Sequence, residues 1–491
     1  MARSIMIQGT MSNVGKSIIC AGLCRIFRQD GYISAPFKSQ NMALNSYITA
    51  DGLEIGRAQA MQAEAAGIEP SVLMNPILLK PTTDNGSQVI VNGKVLGNMR
   101  AAEYFRRKKE LIPTIKTAYA KLSEQADIIV VEGAGSPAEM NLKNDDIVNM
   151  GLAELINAPV LLVGDIDRGG VFAQLIGTVA LLEIHEQQRI KGLLVNKFRG
   201  DRSLFQDGVR ILEEKGGKPV LGVVPYVDCD IDDEDSLSDR LSRKSSDIID
   251  IAVIKLPKIS NYTDFSPLSG YSGVSVRYTG KSAELGSPDM IILPGSKSTI
   301  ADMKWLRESG FENLIKQKVS AGVPLFGICG GYQMLGKTIS DPENTECGGK
   351  IRGLELLDMH TVFCRDKTQK QSDGIITAEP NIFGKLNGKA VSGYEIHMGQ
   401  TESHESPLIR FSDGRCDGAY KGCVFGTYLH GIFDSSGISA AIIGELFNRR
   451  GLDFSGVLNY KEYKEKQYDC LADALRQNID MEKIYSILDI T

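Results

Sequence analysis

Short apolar runs that end on small or polar residues recur along this chain, and they constrain its fold more than any other feature. In the first half they are Ser4–Gln8, Ile33–Phe37, Ile128–Val131, Val160–Val163, Gly192–Val195 and Val220–Val224. Each has the length of a buried strand, and helical or loop stretches separate them, so the sheet they build is expected to be mostly parallel. Asp228 to Asp235 then reads Asp-Cys-Asp-Ile-Asp-Asp-Glu-Asp, followed by Ser- and Arg-rich sequence to about Asp247. No apolar period survives that stretch; it can be read as a metal-binding run, and better as a solvated linker. The alternation starts afresh with Ile251–Leu256, Ser275–Tyr278, Met290–Leu293 and Leu325–Ile328, and beyond Asp434 the chain reads as helices. The expected division is a first domain over 1–235, a linker over 236–247, a second domain over 248–440 and a helical extension over 441–491 that packs on one domain. A length of 491 residues accommodates two such cores.

Composition narrows the function classes. A formal net charge of -6 argues against generic binding to nucleic acid or to an anionic membrane. No apolar stretch reaches the length of a membrane span, and the N-terminus runs straight into a strand and a glycine loop rather than a signal peptide, so a cytoplasmic protein is expected. The nine cysteines are scattered, odd in number and without a Cys-x-x-Cys pair, which suits a reducing compartment better than disulfides or a zinc site. Cys20 and Cys24, four apart on an expected helix, read as core.

Chemistry enters first at Gly9-Thr-Met-Ser-Asn-Val-Gly-Lys-Ser17, between the Ser4–Gln8 strand and a helix expected through Phe27. Strand, glycine loop and helix make a phosphate cradle, with main-chain N–H groups and the helix dipole facing the anion. Gly9, Thr10, Asn13 and Gly15 shape the loop, Lys16 reaches the outer phosphates of ATP, and the Ser17 hydroxyl holds Mg2+. The usual motif has one residue fewer between its glycines than Thr10 to Val14 supply. Ligands of parallel sheets sit beyond the carboxyl ends of the strands, where Lys38, Glu132, Asp165 and Asn196 stand. Glu132 closes its strand as a magnesium- or water-positioning carboxylate would; Asp165 reads equally as a residue behind the metal or a helix cap. Ser39–Asn45, Asp51–Gln59 and Met74–Pro81 are dense in amides and hydroxyls, and serve either a large polar ligand or their own loops.

The second chemical feature is Gly327-Ile-Cys-Gly-Gly-Tyr-Gln-Met-Leu-Gly336. A buried strand stops at Cys329, two glycines follow, and an apolar-periodic helix carrying Met334 and Leu335 is expected next. A nucleophile on such a turn is exposed at the sheet edge, and a helix N-terminus favours the thiolate. His430, in Gly426-Thr-Tyr-Leu-His430-Gly431, also ends an apolar run, where an imidazole can take the thiol proton.

These two motifs, with Tyr-Leu-His-Gly-Ile-Phe-Asp over 428–434, resemble the class I glutamine amidotransferase domain of the cobyric acid synthase type. The loop over 9–17 is similar to that of dethiobiotin synthetases and their amidoligase relatives. The resemblance spans nearly the whole chain and implies two three-layer α/β domains with mostly parallel sheets, a P-loop NTPase followed by a flavodoxin-like amidotransferase. It implies Cys329 and His430 as the catalytic pair and the N–H groups of Gly295 and Gly330 as the oxyanion hole. Asp51 becomes a third magnesium-site residue beside Ser17 and Glu132. Asn196 reads the adenine edge, or else merely caps its strand. One departure stands out: many relatives carry a Glu two residues after the histidine, and here that position is Ile432. The partner that orients His430 is left open between Glu395 and His397, and a histidine without a carboxylate suggests a glutaminase that is modest until the synthetase site is engaged. The implied partners are glutamine and a corrinoid: adenosylcobyrinic acid a,c-diamide, amidated at its b, d, e and g carboxylates to adenosylcobyric acid, with a homo-oligomer left open. An a,c-diamide synthase or other polycarboxylate amidoligase is the alternative. A regulatory P-loop ATPase explains only the first half.

Overall fold

The computed structural model describes residues 2–83, 86–231, 248–378, 382–456 and 458–490. The expected linker over 236–247 lies outside them. The chain forms two compact units, one of Met1–Ala43, Glu54–Asp232 and Lys464–Thr491, the other of Leu44–Leu53 and Asp233–Tyr463.

The first unit is built on six strands, β1 (Arg3–Gly9), β2 (Ser34–Phe37), β3 (Ile128–Glu132), β4 (Val160–Asp165), β5 (Ile190–Phe198) and β6 (Val220–Pro225). They run all parallel in the order β6-β5-β4-β1-β3-β2. Their apolar runs alternate between two cores, as the two-residue period of a strand requires. Ile5, Ile7, Ile128, Val130, Leu161 and Val163 face one layer, while Met6, Ile129, Val131, Val160 and Leu162 face the other. Helix α1 (Lys16–Gln29) covers the first face, with Cys20 and Cys24 fully buried in it as core residues.

The same face is finished by the end of the chain. The expected extension over 441–491 does not pack as one piece: Ser436–Arg449 belongs to the second unit, and Lys464 onward to the first. Tyr468, Leu471, Leu475, Ile479 and Leu488 fill the core beside α1. Gly22 is the point of closest approach, since a β-carbon there would stand 2.2 Å from Leu475 Cδ1. Arg25, nearly buried, reaches Glu465 at 2.7 Å and Asp469 at 2.8 Å. Without these residues an apolar face of the sheet layer would lie open to water, which is why this stretch returns.

In the second unit β7 (Ile249–Ile254), β8 (Val274–Thr279), β9 (Met290–Leu293), β10 (Leu325–Ile328), β11 (Ala419–Lys421) and β12 (Val424–Thr427) take the order β8-β7-β9-β10-β12-β11, parallel except for β11. The apolar runs of the sequence thus supply four of the five parallel strands. A long antiparallel hairpin, Met359–Ile376 with Ala390–Ser403, forms a separate sheet that no continuous apolar run announces.

Leu471 is fully buried, so Leu471→Ala should cost about 2–5 kcal/mol of unfolding free energy. Urea denaturation of the full chain, followed at the first unit, measures it.

Candidate active site

Register brings the second unit's site together. Leu293 pairs with Gly327, Gly327 with Gly426, and Ile328 with Thr427. The residues that follow β9, β10 and β12 therefore leave the sheet side by side: Pro294-Gly295, Cys329 and Tyr428 to His430. Cys329 takes φ 50° and ψ -108°, a backbone conformation that costs a non-glycine residue about 1–3 kcal/mol and persists only where the surroundings enforce it. They do so through glycine: a β-carbon at Gly331 would stand 2.0 Å from the Leu293 carbonyl oxygen, and one at Gly330 2.8 Å from the Ser296 nitrogen. Gly330 and Gly295 thus lie on abutting loops, and a β-carbon at Gly295 would sit 3.4 Å from His430 Cε1. The helix behind Cys329 is shorter than the sequence suggests, Gly330–Met334. It stops because the chain closes onto Gly353 to Leu357, with Leu354 N–H donating to the Met334 carbonyl.

His430 is buried. Leu429–His430 adds to the edge of the Ala390–Ser403 strand, opposite Glu395 and Tyr394, which fixes the backbone of the histidine. Its Nδ1 lies 2.6 Å from Asp264 Oδ2. Neither residue expected to orient it does so. Glu395 is held by Arg415 at 2.7 Å and by Ser372 at 2.5 Å; burial would raise its pKa, but its partners His397, Arg415 and Ser372 hold it at about 2. His397 instead stacks on Tyr428, centroids 3.7 Å apart, and its Nδ1 faces the Gly399 carbonyl at 2.8 Å. Asp264 completes a Cys–His–Asp triad, so the inference of a modest glutaminase from a missing carboxylate loses its ground. Asp264 follows β7, in the buried turn Tyr262–Phe265. The signal that could have found it is an acidic residue enclosed by aromatics just past a buried strand.

Burial alone would lower the His430 pKa from its ordinary 6.5; Asp264 and Cys329 outweigh it and carry it to about 10. The protonated form of the ring is thus favoured by the groups it faces, Asp264 foremost.

In the first unit the glycine loop, Lys16 and the strand ends converge. Gly15 takes φ 96° and Asn13 φ 62°. Thr10 N–H donates to the Val163 carbonyl at 2.9 Å, and a β-carbon at Gly9 would strike Val14. Lys16 Nζ donates to the carbonyls of Met11 and Gly135 at 3.1 and 3.3 Å. Ser17 Oγ donates to Glu132 at 2.8 Å. The Glu132 carboxylate is buried, accepts from Lys38 at 2.9 Å and Gln62 at 2.6 Å, and is held ionised chiefly by Lys38 against a desolvation that would raise its pKa. A hydroxyl and a carboxylate oxygen side by side are hard donors of the kind magnesium takes. Asn196 Nδ2 donates to the Val14 carbonyl at 2.7 Å, bracing the loop from β5, and Lys197 braces it at the Asn13 carbonyl while pairing with Asp165. Asp51 belongs to the Leu44–Leu53 segment of the second unit, where it accepts from Thr49 Oγ1 at 2.5 Å.

Residues 5–237 match the model of the CobQ/CobB/MinD/ParA nucleotide binding domain, and residues 250–438 that of the CobB/CobQ-like glutamine amidotransferase domain. Over all of its length the chain is 57% identical to a cobyric acid synthase of Lachnoclostridium phytofermentans, across 99% of that protein. It is 56% identical to one from Ruminiclostridium cellulolyticum, across 98% of it, and 51% to one from Citrobacter koseri, with 99% of each chain covered. The chain belongs to the cobyric acid synthase family. As a member it is a carbon–nitrogen ligase with a nucleotide-binding half and a glutamine amidotransferase half. Among the described residues no helix is long and apolar enough to cross a membrane.

Asp264→Asn tests the triad. With the charge gone the His430 pKa should fall, and glutamine hydrolysis should drop about 10²–10⁴-fold, as for other orienting carboxylates. The raised pKa of His430 stabilises the fold fully below pH about 6.5, and that contribution is lost as pH rises through about 10. Urea midpoints should therefore decline with pH across that window more steeply in the unsubstituted chain than in Asp264→Asn.

Proposed function

We propose that the chain catalyses ATP- and glutamine-dependent amidation of the b, d, e and g carboxylates of adenosylcobyrinic acid a,c-diamide, yielding adenosylcobyric acid in the cytoplasm. The observation that carries the reading is the presence in one chain of a triad-held thiol and of a phosphate loop facing a buried carboxylate. The full-length likeness to cobyric acid synthases supports the choice of substrate over that of an a,c-diamide synthase.

A carboxylate resists ammonia because it is a resonance-stabilised anion. In the first unit, over about 1–235 together with the returning C-terminal residues, a substrate carboxylate oxygen attacks the γ-phosphorus of ATP. The bond to the β-phosphate oxygen breaks, ADP leaves, and the product is an acyl phosphate. The N–H groups of the Gly9–Gly15 loop and Lys16 hold the phosphates. Ser17 and Glu132 would hold Mg2+, which neutralises charge on the phosphate oxygens when bound. Ammonia then attacks the acyl carbon, phosphate leaves with the carboxylate-derived oxygen, and one proton is lost to give the amide.

The second unit supplies the ammonia. Cys329 Sγ attacks the side-chain carbonyl carbon of glutamine, and the N–H groups of Gly295 and Gly330 receive the oxyanion, each donor worth about 3–4 kcal/mol. His430, held by Asp264, gives its proton to the leaving nitrogen and then takes one from the water that cleaves the thioester, releasing glutamate. Separate chemistry predicts separable losses. Cys329→Ala should lose glutamine-dependent amidation by at least about 10³-fold yet keep ammonium-dependent amidation within about twofold. Glu132→Gln should lose both. With carboxylate oxygens of the corrinoid labelled with oxygen-18, one labelled atom should appear in phosphate per amide formed; unlabelled phosphate would overturn the acyl phosphate.

A further inference from the structure

The helix Arg57–Ala66 sets two glutamines, Gln59 and Gln62, three residues apart on one face, and both reach Glu132. Both are fully buried, so each amide needs partners at its nitrogen and at its oxygen. Gln59 has them: its Nε2 donates to Glu132 Oε2 at 3.4 Å, and its Oε1 accepts from Asn41 Nδ2 at 3.0 Å. Gln62 is served at one end only. Its Nε2 donates to Glu132 Oε2 at 2.6 Å and to the Ser17 carbonyl at 3.2 Å, while its buried Oε1 has no donor among the described residues. Turning the amide over gives no relief, because the oxygen would then face a carboxylate and a carbonyl, neither of which can donate.

The orphaned oxygen belongs to an amide that touches both residues assigned above to Mg2+, Ser17 and Glu132, whose side chains are 2.8 Å apart. The nitrogen and oxygen of a primary amide are about 2.3 Å apart, so with Nε2 at 2.6 Å the Gln62 carbonyl oxygen lies within about 5 Å of Glu132 Oε2. An ion held by a carboxylate at about 2.1 Å carries its water about 2.1 Å further out, and magnesium gives up that water reluctantly. The orphaned oxygen is within reach of such a shell. A buried acceptor left without a protein donor calls for an ordered water or an ion.

We infer that Gln62 belongs to the magnesium site of the first unit, its side-chain carbonyl accepting a hydrogen bond from water on the ion that Ser17 and Glu132 hold. The inference rests on the assignment of those two residues to Mg2+ made above. The Gln62 amide then has two tasks: its nitrogen grips the carboxylate, and its oxygen orients the water shell. The first task needs a donor and the second an acceptor, so substitution can separate them.

Gln62→Glu keeps an acceptor on a side chain of the same length and abolishes the donor; Gln62→Met keeps length and bulk and abolishes both. In the full chain, binding of the unhydrolysable ATP analogue AMPPNP is measured by calorimetry in EDTA. Binding of Mn2+, the paramagnetic stand-in for Mg2+, is measured by electron paramagnetic resonance with AMPPNP saturating. In EDTA every variant should bind AMPPNP within about twofold of the unsubstituted chain, since no metal is there for the oxygen to serve. Gln62→Met should bind Mn2+ about tenfold or more weakly, the loss typical of a group that supports a metal's ligands, and Gln62→Glu within about threefold of the unsubstituted chain. The inference is overturned if both variants lose Mn2+ alike, which marks Gln62 as a donor to Glu132 only, or if neither loses it. A fall in metal-free AMPPNP binding in step with Mn2+ overturns it too, by marking a contact that merely holds the fold. Should Gln62→Met not fold, Gln62→Glu decides alone, and a loss of Mn2+ affinity of about tenfold there counts against the inference. Glu132→Gln is the control: unchanged Mn2+ affinity in it would sink the Ser17–Glu132 site itself rather than the part given to Gln62.

Discussion

Three neighbouring strands of one parallel sheet, β9, β10 and β12, end level with one another, and the chemistry of the second unit depends on that alignment. Side chains far apart in sequence need no long reach to meet when their strands finish in register. The price is crowding at the sheet edge, and it is met by glycine. Gly327, Gly331 and Gly426 leave no room for a β-carbon against Leu335, Leu293 and Tyr332. Only because they are glycines can Cys329 hold its positive φ without pushing the neighbouring loops apart.

Both units bury a carboxylate where water is scarce and set a basic side chain within hydrogen-bond reach of it. Lys38 stands beside Glu132 and keeps it ionised, and His430 stands beside Asp264. Breaking such a buried pair on one side costs about 3–5 kcal/mol, far more than an exposed pair is worth. The consequences differ. Around Glu132 the amides of Gln59 and Gln62 spread the carboxylate's bonds over several donors, which suits a group meant to be shared with a bound cation. Asp264 is spent on one imidazole and the Gly431 N–H, which suits a group meant to fix one ring.

What could be read from sequence follows from how local each feature is. Loop 9–17 and turn 327–336 are contiguous, so their glycines and reactive side chains were visible together, and the strands feeding them were visible as apolar runs. Asp264 was not, because it lies 166 residues from His430 and bears no fixed spacing to it; only the sheet order brings the turn after β7 next to the strand that carries the histidine. Glu395 and His397 share one face of a strand whose neighbouring side chains point to opposite faces, and it is Tyr394 on the other face whose ring covers the imidazole. The hairpin escaped for a related reason: its buried and exposed residues alternate, leaving no apolar run. The return of Lys464 to Thr491 needed knowledge of which sheet face lacked a cover.

That hairpin clarifies why a glutaminase half carries a second sheet at all. A parallel sheet can bring strand ends level, but it offers nothing beyond those ends to hold a ring in place. The Ala390–Ser403 strand supplies that surface. Its main chain pairs with Leu429–His430, its Ile396 carbonyl faces the thiol, and its Tyr394 ring covers the imidazole. Cysteine and histidine are therefore referred to one common backbone, so a shift of that strand moves the surroundings of both at once. Separate supports would let nucleophile and proton carrier drift independently, and an error of about 1 Å between such groups is enough to cost about a hundredfold in rate. Ile48 and Tyr47 pack on the same strand at Tyr394 and Ile396, so the support that both reacting groups share is buried on that side as well.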